Sequence, residues 1–462
     1  MPLSDFSADS VPLVHSDEPA RPTRTQHEVL VGEQLTGPRS AQWAVPLEVT
    51  VEGRVLPGVL QRALDQMVVR HPVLRTVLVD RETVVRPPAA TVPLTVHDLG
   101  ALPPEAAAAR RGDLLRAEAR APLPAGSGPL LRALLLREVG DRNTLLVHVH
   151  HAAFDGLSTG PFLRDLAAVY AALVGRAALP PAPRITFDDA ARWLADDDDR
   201  NAATREAYWA ERLAGVPRDQ QVPGGQAAAA GAGRWDGDLV ERALAPDELA
   251  ELRTFVASTG TTPDALVLAA SAVRVARETG RTDVVLCAPT STRGHADVER
   301  VIGPMMRSGL ARVRLDGDPE FGDLVLRVAD ETDRDAETGT LPWGDLLRLA
   351  GLDLPAGAPR VPFLTVSMQR GVPPVTAGNV TWSFVRELAS GGAKADLTLF
   401  WDQDNPARPR VAAEFALERF TADDAARFLD EVVGVALAGA AAPTARVSRL
   451  GRTAAATRRA AA

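Results

Sequence analysis

The chain of 462 residues carries apolar positions at helical spacing in some segments and in continuous, strand-like runs in others. Residues 59–70 place their apolar side chains on one face of a helix, and Pro72 is expected to end it. Residues 130–139 and 144–150 are apolar runs separated by Gly-Asp-Arg-Asn, which predicts a β-hairpin. Helix and strand patterns are thus mixed already in the first half of the chain.

The helical pattern returns directly after this hairpin. Residues 156–176 have helical spacing, and we expect Ser158 or Thr159 to be the N-cap of this helix. In the second half, Thr262 followed by a proline predicts the start of another helix, which Gly280 ends. Mixed elements in both halves predict an α/β or α+β protein of two lobes.

Proline-rich and aperiodic segments suggest where the lobes begin and end. The run Pro-Pro-Ala-Pro at 180–183 is our candidate boundary between a first lobe, 23–180, and a second lobe, 181–444. Residues 1–22 and 445–462 have no apolar period, so we expect a flexible N-terminus and a flexible tail.

Composition narrows the function classes. The net charge of −9 argues against a nucleic-acid binder and against a surface for anionic lipid. The lone cysteine, Cys287, excludes disulfides and multi-thiolate metal sites, and the lone lysine, Lys394, makes Schiff-base chemistry improbable. The first residues lack a secretory h-region, and the longest apolar stretch is far below the roughly 20 residues of a membrane span. We expect a soluble cytoplasmic protein.

Candidate chemistry concentrates where the hairpin ends. His148, His150, His151 and Asp155 fall within eight residues, between a predicted strand and a predicted helix. Such histidines can simply be satisfied by backbone carbonyls in a half-buried strand, with Asp155 and Gly156 as turn residues. That structural interpretation explains one histidine better than it explains three.

Two chemical alternatives, a metal site and a serine hydrolase, each require further residues for which the sequence offers few candidates. His148 and His150 share a strand face and could bind a metal, with His295 or Asp155 as a third ligand, but no second ligand cluster is evident. The run 156–160 fits G-x-S-x-G, which would make Ser158 the nucleophile of a hydrolase. That fold usually has its histidine near the end of the chain, whereas here only His295 lies downstream.

A third interpretation treats the histidines, Asp155 and Gly156 as one unit. A histidine at a strand end is largely unprotonated at neutral pH and can take a proton from a nucleophile that attacks an acyl group. An aspartate four residues later can anchor the loop through an arginine, and a glycine permits close approach of substrate to the backbone. Acyl transfer of this kind needs no metal and no covalent enzyme intermediate.

The run H-H-A-A-F-D-G at 150–156 resembles the H-H-x-x-x-D-G signature of condensation domains of nonribosomal peptide synthetases, within the chloramphenicol-acetyltransferase-like superfamily. Further blocks resemble the family pattern in the same order, at 70–76, 187–193, 208–215, 292–294, 301–306 and 395–399. The resemblance implies two acetyltransferase-like lobes in a V, with the active site in a tunnel between them.

The resemblance also implies roles for individual residues. His151 matches the catalytic histidine of the family, and His150 and Asp155 match supporting positions. Arg293 matches the arginine that pairs with this aspartate across the lobes, and Gly156 matches the glycine beside the reacting groups. No cofactor is implied, because the acyl donor arrives on the phosphopantetheine of a carrier protein or as a CoA thioester.

One stretch departs from the family pattern. Residues 305–312 read M-M-R-S-G-L-A-R where the family has F-V-N-T-L-P-L-R, so that an arginine replaces the asparagine. We expect Arg307 and Ser308 to contact substrate, with Arg307 holding an anionic acceptor or a phosphate. The alternative is that Arg307 is a solvated arginine at a strand edge.

The resemblance covers most of the chain, so we expect a stand-alone condensation enzyme of bacterial natural-product, including antibiotic, biosynthesis. It would join a donor on an acyl- or peptidyl-carrier protein to a small amine or alcohol. Two alternatives stay open: an acyltransferase that moves a polyketide or fatty acyl group to an alcohol, and a non-catalytic recruitment module.

Overall fold

Two six-stranded mixed sheets with helices packed against them organise the computed structural model, which describes residues 11, 19–37, 40–80, 82–87, 91–225, 235–352, 361–406 and 408–450. The strands in these ranges are β1 (Ala44–Glu52), β2 (Val77–Leu78), β3 (Val84–Val85), β4 (Leu94–Asp98), β5 (Leu131–Arg137), β6 (Arg142–His150), β7 (Gly237–Ala243), β8 (Asp283–Cys287), β9 (Thr290–Ser291), β10 (Met306–Arg307), β11 (Leu310–Arg314), β12 (Val361–Met368), β13 (Val375–Ala377), β14 (Val380–Glu387), β15 (Ala395–Asp402) and β16 (Arg410–Ala416). The helices are α1 (Arg24–Thr36), α2 (Pro57–Arg70), α3 (Pro104–Ala119), α4 (Thr159–Gly175), α5 (Phe187–Arg212), α6 (Pro246–Thr259), α7 (Pro263–Thr279), α8 (Phe321–Thr338), α9 (Trp343–Ala350) and α10 (Ala422–Ala441).

The first sheet has the strand order β13-β14-β1-β6-β5-β4. The predicted hairpin is confirmed: β5 and β6 run antiparallel, with Leu131 opposite Val149. Gly140 supplies the left-handed backbone of the turn, at φ 72°. On its other side β6 pairs with β1, so the histidine-bearing end of β6 lies in the middle of the sheet.

Helices α2 and α4 contribute to the core of the first sheet. The predicted helix at 59–70 is confirmed as α2, which begins two residues earlier, at Pro57. Ser158 is confirmed as the residue at the N-cap position of α4, but its side chain does not cap the helix. A short 3-10 turn precedes α4, and the carboxylate of Asp155 accepts the N–H of Ser158 at 3.0 Å, whereas the Ser158 side chain makes no capping bond. Asp155 is the N-cap of the 3-10 turn, where a charged carboxylate is a favourable acceptor for a free backbone N–H.

The second sheet has the order β11-β8-β12-β15-β16-β7. Its core is completed by α7 and α10 among other helices. The predicted start and end of α7 are confirmed: the hydroxyl of Thr262 accepts the N–H of Ala265, and Gly280 follows with φ 71°. The mixed α/β fold expected from the sequence is therefore present.

One segment of the second half of the chain belongs to the first sheet. Strands β13 and β14 lie at its edge, and β14 pairs antiparallel with β1, with Leu47 opposite Glu387. The pairing of β14 with β1 therefore connects the second half of the chain to the first sheet. The boundary proposed near residue 180 stays a prediction.

The first part of the expected flexible tail, residues 445–450, is packed against the second sheet, so that part of the prediction is wrong. Val447 is 7% and Leu450 is 3% exposed, and both pack against the core of the second sheet. Burial of these two apolar side chains opposes fraying of the segment. Residues 451–462, like most of the expected flexible N-terminus, lie outside the described residues. None of the described helices is both long and apolar enough to cross a membrane.

Candidate active site

His151 lies where β6 ends and the chain turns toward α4. Its backbone N–H donates to the carbonyl of Trp43, the residue before β1, at 2.7 Å. The indole ring of Trp43 packs edge-on against the His151 ring, with the centroids 6.1 Å apart and the planes at 75°. A strand end and an aromatic ring therefore fix where the imidazole points.

The imidazole of His151 is neutral at physiological pH. Burial lowers the pKa of His151 to about 4, and the positive charge of nearby Lys394 acts in the same direction. Backbone groups of His151 and Phe154 and the carboxylate of Asp155 oppose this lowering only in part. A neutral ring has one N–H donor and one lone pair, so it can orient a nucleophile or accept its proton.

The two preceding histidines are engaged in the structure. Nδ1 of His150 accepts the N–H of Ala152 at 3.0 Å, and its Nε2 lies 4.0 Å from the carboxylate of Glu33. Nδ1 of His148 lies 2.9 Å from the carbonyl of Glu118. Burial is the main cause that lowers the pKa of both rings to about 3. Across the described ranges, no three His, Cys, Asp or Glu side chains are arranged to hold a metal ion.

The carboxylate of Asp155 accepts most of the hydrogen bonds that fix the loop after His151. Its Oδ1 accepts the backbone N–H and the hydroxyl of Ser158, at 3.0 and 2.9 Å. Its Oδ2 accepts the N–H of Met305 at 2.8 Å. Arg293 binds both oxygens, with Nη1 to Oδ2 at 2.8 Å and Nη2 to Oδ1 at 2.9 Å. The carboxylate is thus saturated by fixed donors, which holds the loop in one conformation.

Arg293 reaches this carboxylate from the second half of the chain. Its Nη2 also donates to the carbonyls of Val301 and Gly303, at 3.1 and 3.0 Å. The side chains of Arg293 and Asp155 are 4% and 1% exposed. The segment from 293 to 305 is thereby bound to the loop that carries His151.

Ser158 does not present its hydroxyl to a substrate. The side chain is buried, its single O–H lies within bonding distance of Asp155 Oδ1 and of the Gly303 carbonyl, and its Oγ accepts from the N–H of Gly303 and from Arg293. A nucleophilic serine needs an open approach and a histidine base. The hydrolase interpretation of G-x-S-x-G therefore finds no support in this geometry.

Gly156 is exposed at the start of the 3-10 turn. A Cβ built on it would lie 3.5 Å from Oε1 of Gln369, which is ordinary contact distance. Glycine is therefore not required here by crowding. Gln369 faces the Gly156 backbone, and the role of Gly156 beside the reacting groups stays a prediction.

Arg307 and Ser308 occupy a different environment from His151. The guanidinium of Arg307 binds both oxygens of Asp198, at 2.7 and 2.8 Å, and the residue is 9% exposed. The alternative of a solvated arginine is therefore wrong. Ser308 is partly exposed, and its carbonyl accepts the hydroxyl of Thr340 at 3.4 Å. Their contact with substrate stays a prediction.

The sequence analysis did not identify three residues that lie near His151 or near Gly156. Trp43 contacts His151 directly, Lys394 acts on its charge, and Gln369 faces Gly156. The one available signal was that Lys394 is the chain's only lysine. Trp43 and Gln369 carry no such signal, because their positions depend on how distant strands pair.

Comparison of the sequence with known proteins identifies one family. A family model described as Condensation domain matches residues 21–368. Phosphinothricin tripeptide synthetase PhsC of Streptomyces viridochromogenes is 33% identical over 318 residues, which are 68% of this chain and 29% of that protein. The chain thus spans less than a third of the length of this relative.

Solved structures share the fold over nearly the whole chain. The SgcC5 protein of Streptomyces globisporus, in complex with a naphthyl ethanediol and sucrose, has a TM-score of 0.79 at 23% identity, over 92% of this chain and 99% of that one. A variant of the starter condensation domain of rhizomide synthetase, in complex with C8-CoA, has a TM-score of 0.78 at 21% identity, over 93% of this chain and 96% of that one. The fold is therefore the two-lobed, chloramphenicol-acetyltransferase-like fold. The family model matches most of the chain, and the fold and the signature loop agree with it. The chain therefore belongs to the condensation domain family.

Proposed function

We propose that this chain joins an acyl or aminoacyl thioester to a small amine or alcohol, forming an amide or an ester, with His151 at the reaction centre. Condensation domains are acyltransferase-type enzymes that form amide bonds. The observation that carries the proposal is the neutral imidazole of His151 at the end of β6, beside the buried Asp155–Arg293 pair.

The reaction needs no covalent bond to the enzyme. The lone pair of the acceptor nitrogen or oxygen attacks the thioester carbonyl carbon, and a C–N or C–O bond forms. The C–S bond then breaks, and the proton lost by the nucleophile ends on the departing sulfur as a thiol. The lone pair of His151 accepts a hydrogen bond from the attacking N–H or O–H, which holds the nucleophile in line.

The low pKa of His151 means that its imidazole is better suited to orienting the nucleophile than to removing the nucleophile's proton. A general base works best when its pKa lies near the operating pH. Burial keeps the pKa of His151 at about 4, so its conjugate acid would release a captured proton at once. We therefore assign His151 the task of placing the nucleophile, with the proton passing onward to sulfur.

The donor in this proposal is a thioester on the phosphopantetheine of an acyl- or peptidyl-carrier protein, or on CoA. The rhizomide starter domain was solved with C8-CoA, which supports the access of a CoA thioester to this fold. An alcohol acceptor is kept beside an amine because SgcC5 was solved with a diol. An acyltransferase for polyketide or fatty acyl groups would use the same residues with a different donor.

Product analysis by mass spectrometry tests the proposal. The protein is offered acyl thioesters on carrier protein and on CoA, together with a pool of small amines and alcohols. We expect a new amide or ester with wild-type protein and none with His151→Ala. A product of equal yield with both proteins would refute the role of His151. Carrier binding without product from any donor would favour a recruitment module.

A further inference from the structure

Lys394, the chain's only lysine, lies next to the site in the turn before β15. Its Nζ is 5.9 Å from the ring centroid of Trp43. The same ring packs edge-on against His151, and the Trp43 carbonyl accepts the His151 N–H. Ammonium, indole and imidazole therefore form one contiguous group in which Trp43 is the middle member.

Two carboxyl groups on different sheets accompany the lysine. The backbone N–H of Lys394 donates to Oε1 of Glu414 on β16, at 3.3 Å. Glu387 ends β14 in the first sheet. Burial raises the pKa of Glu387 to about 7 and raises that of Glu414, and in both cases the charge of Lys394 opposes the rise. The ammonium group of Lys394 thus interacts electrostatically with one carboxyl group from each of the two sheets.

We propose that Lys394 is a positioning residue of the acyl-transfer site: its ammonium group steadies the Trp43 ring against which the His151 imidazole packs, and its charge adds to the burial that keeps this imidazole neutral. The inference rests on the proposed function, because it assigns how the reacting histidine is kept ready.

The fixed positive charge of Lys394 disfavours a second positive charge on the nearby His151 ring. An ammonium over an indole face is also attracted to the ring, which restrains the Trp43 side chain. Asp155 with its partner Arg293, His150 at the end of β6 and Glu33 on α1 beside His150 are further titratable or charged groups on this side of the site. On the other side, the carboxyls of Glu387 and Glu414 interact electrostatically with Lys394.

The direct test is an NMR titration of histidine-labelled protein, with the His151 resonance assigned from its loss in His151→Ala. For wild type and for Lys394→Arg we expect no titration of His151 above about pH 5. In Lys394→Met we expect a midpoint moved upward, although burial still holds it below the ordinary value of about 6.5. An unchanged His151 titration in Lys394→Met would overturn the proposal. Lys394→Gln replaces Lys394→Met if the latter does not fold.

The matched control is Arg142→Met, which removes an exposed cation from the other end of β6. We expect it to leave the His151 titration unchanged. A shift as large as that of Lys394→Met would mean that net charge alone is responsible and would overturn the proposal. Because the titration needs no substrate, it can be read even if acyl transfer itself is refuted, so the two hypotheses fail separately.

A kinetic readout separates positioning from a merely structural role. With an alcohol acceptor, which does not titrate in this range, we expect Lys394→Met to move the acid limb of kcat/KM to higher pH. Lys394→Arg should keep the wild-type limb. A rate that falls equally at every pH in Lys394→Met, together with a lower melting temperature, would show structural support only and contradict the proposal.

Discussion

Asp155 and Arg293 are joined by two parallel hydrogen bonds of 2.8 and 2.9 Å, although 138 positions separate them along the chain. The pair is almost fully buried and receives further bonds from Ser158 and Met305. It therefore connects the loop after His151 to a segment of the second half. The position of the loop after His151 therefore depends on a contact that neither half makes alone.

Arg293→Ala removes one partner and leaves the Asp155 carboxylate buried with fewer donors. Breaking a buried ion pair in this way costs about 3–5 kcal/mol of folding stability. We expect a clearly lower melting temperature and loss of acyl transfer. A double variant, Asp155→Ala with Arg293→Ala, should lose less stability than the sum of the two single variants. An unchanged melting temperature in Arg293→Ala would contradict this account of the pair.

Ser158→Ala distinguishes a structural hydroxyl from a nucleophile. The variant loses the bonds of Oγ to Asp155 and Gly303, which we expect to cost about 1–3 kcal/mol of stability. Turnover should fall far less than the loss on the order of 10⁶ that follows removal of a catalytic serine. Thermal melting and initial rates check both parts, and a loss of that size in a folded variant would restore the hydrolase interpretation.

Much of the site's local geometry was predictable because it follows from short-range patterns. The hairpin that ends at His150 and the helix that follows are visible as apolar spacing, and the signature points to His151 and Asp155. The position of the N-cap at Ser158 was predictable, but apolar spacing does not show that the Asp155 carboxylate, and not the Ser158 hydroxyl, accepts the free backbone N–H.

Long-range contacts were not predictable in the same way. The residue pattern of β14 does not reveal that this strand pairs with β1, more than 300 positions earlier. The position of Glu387 was therefore not predicted. The same holds for Lys394 over Trp43, which depends on how the two sheets meet. Arg293 was assigned only through the family resemblance, since no spacing rule joins it to Asp155.

Arg307→Asn tests whether this arginine is structural or binds substrate. Asp198 would lose a bidentate partner while keeping Arg24 and Arg205. We expect a stability loss of about 1–3 kcal/mol and an unchanged KM for neutral substrates. The control is Arg348→Asn, because that side chain is 54% exposed and should matter little. A raised KM for an anionic acceptor without loss of stability would assign Arg307 to substrate binding.

Cys287 should be inert in the folded protein. Burial raises the pKa of its thiol to about 12, so the thiol is protonated and enclosed at pH 8. We expect a disulfide reagent such as Ellman's reagent to release no thiolate from native protein and one equivalent after unfolding in denaturant, since the chain has one cysteine. Rapid modification of native protein would contradict the burial of this strand end.

The central claim is that His151 places the acceptor for attack on the thioester. The most direct measurement is the single-turnover rate of acyl transfer for wild type and His151→Ala, with His97→Ala, on the edge strand β4, as the control. We predict a loss of about 10²–10⁴ in rate for His151→Ala, with a melting temperature close to wild type and full activity in the control. A His151→Ala variant that transfers the acyl group at the wild-type rate would contradict the account.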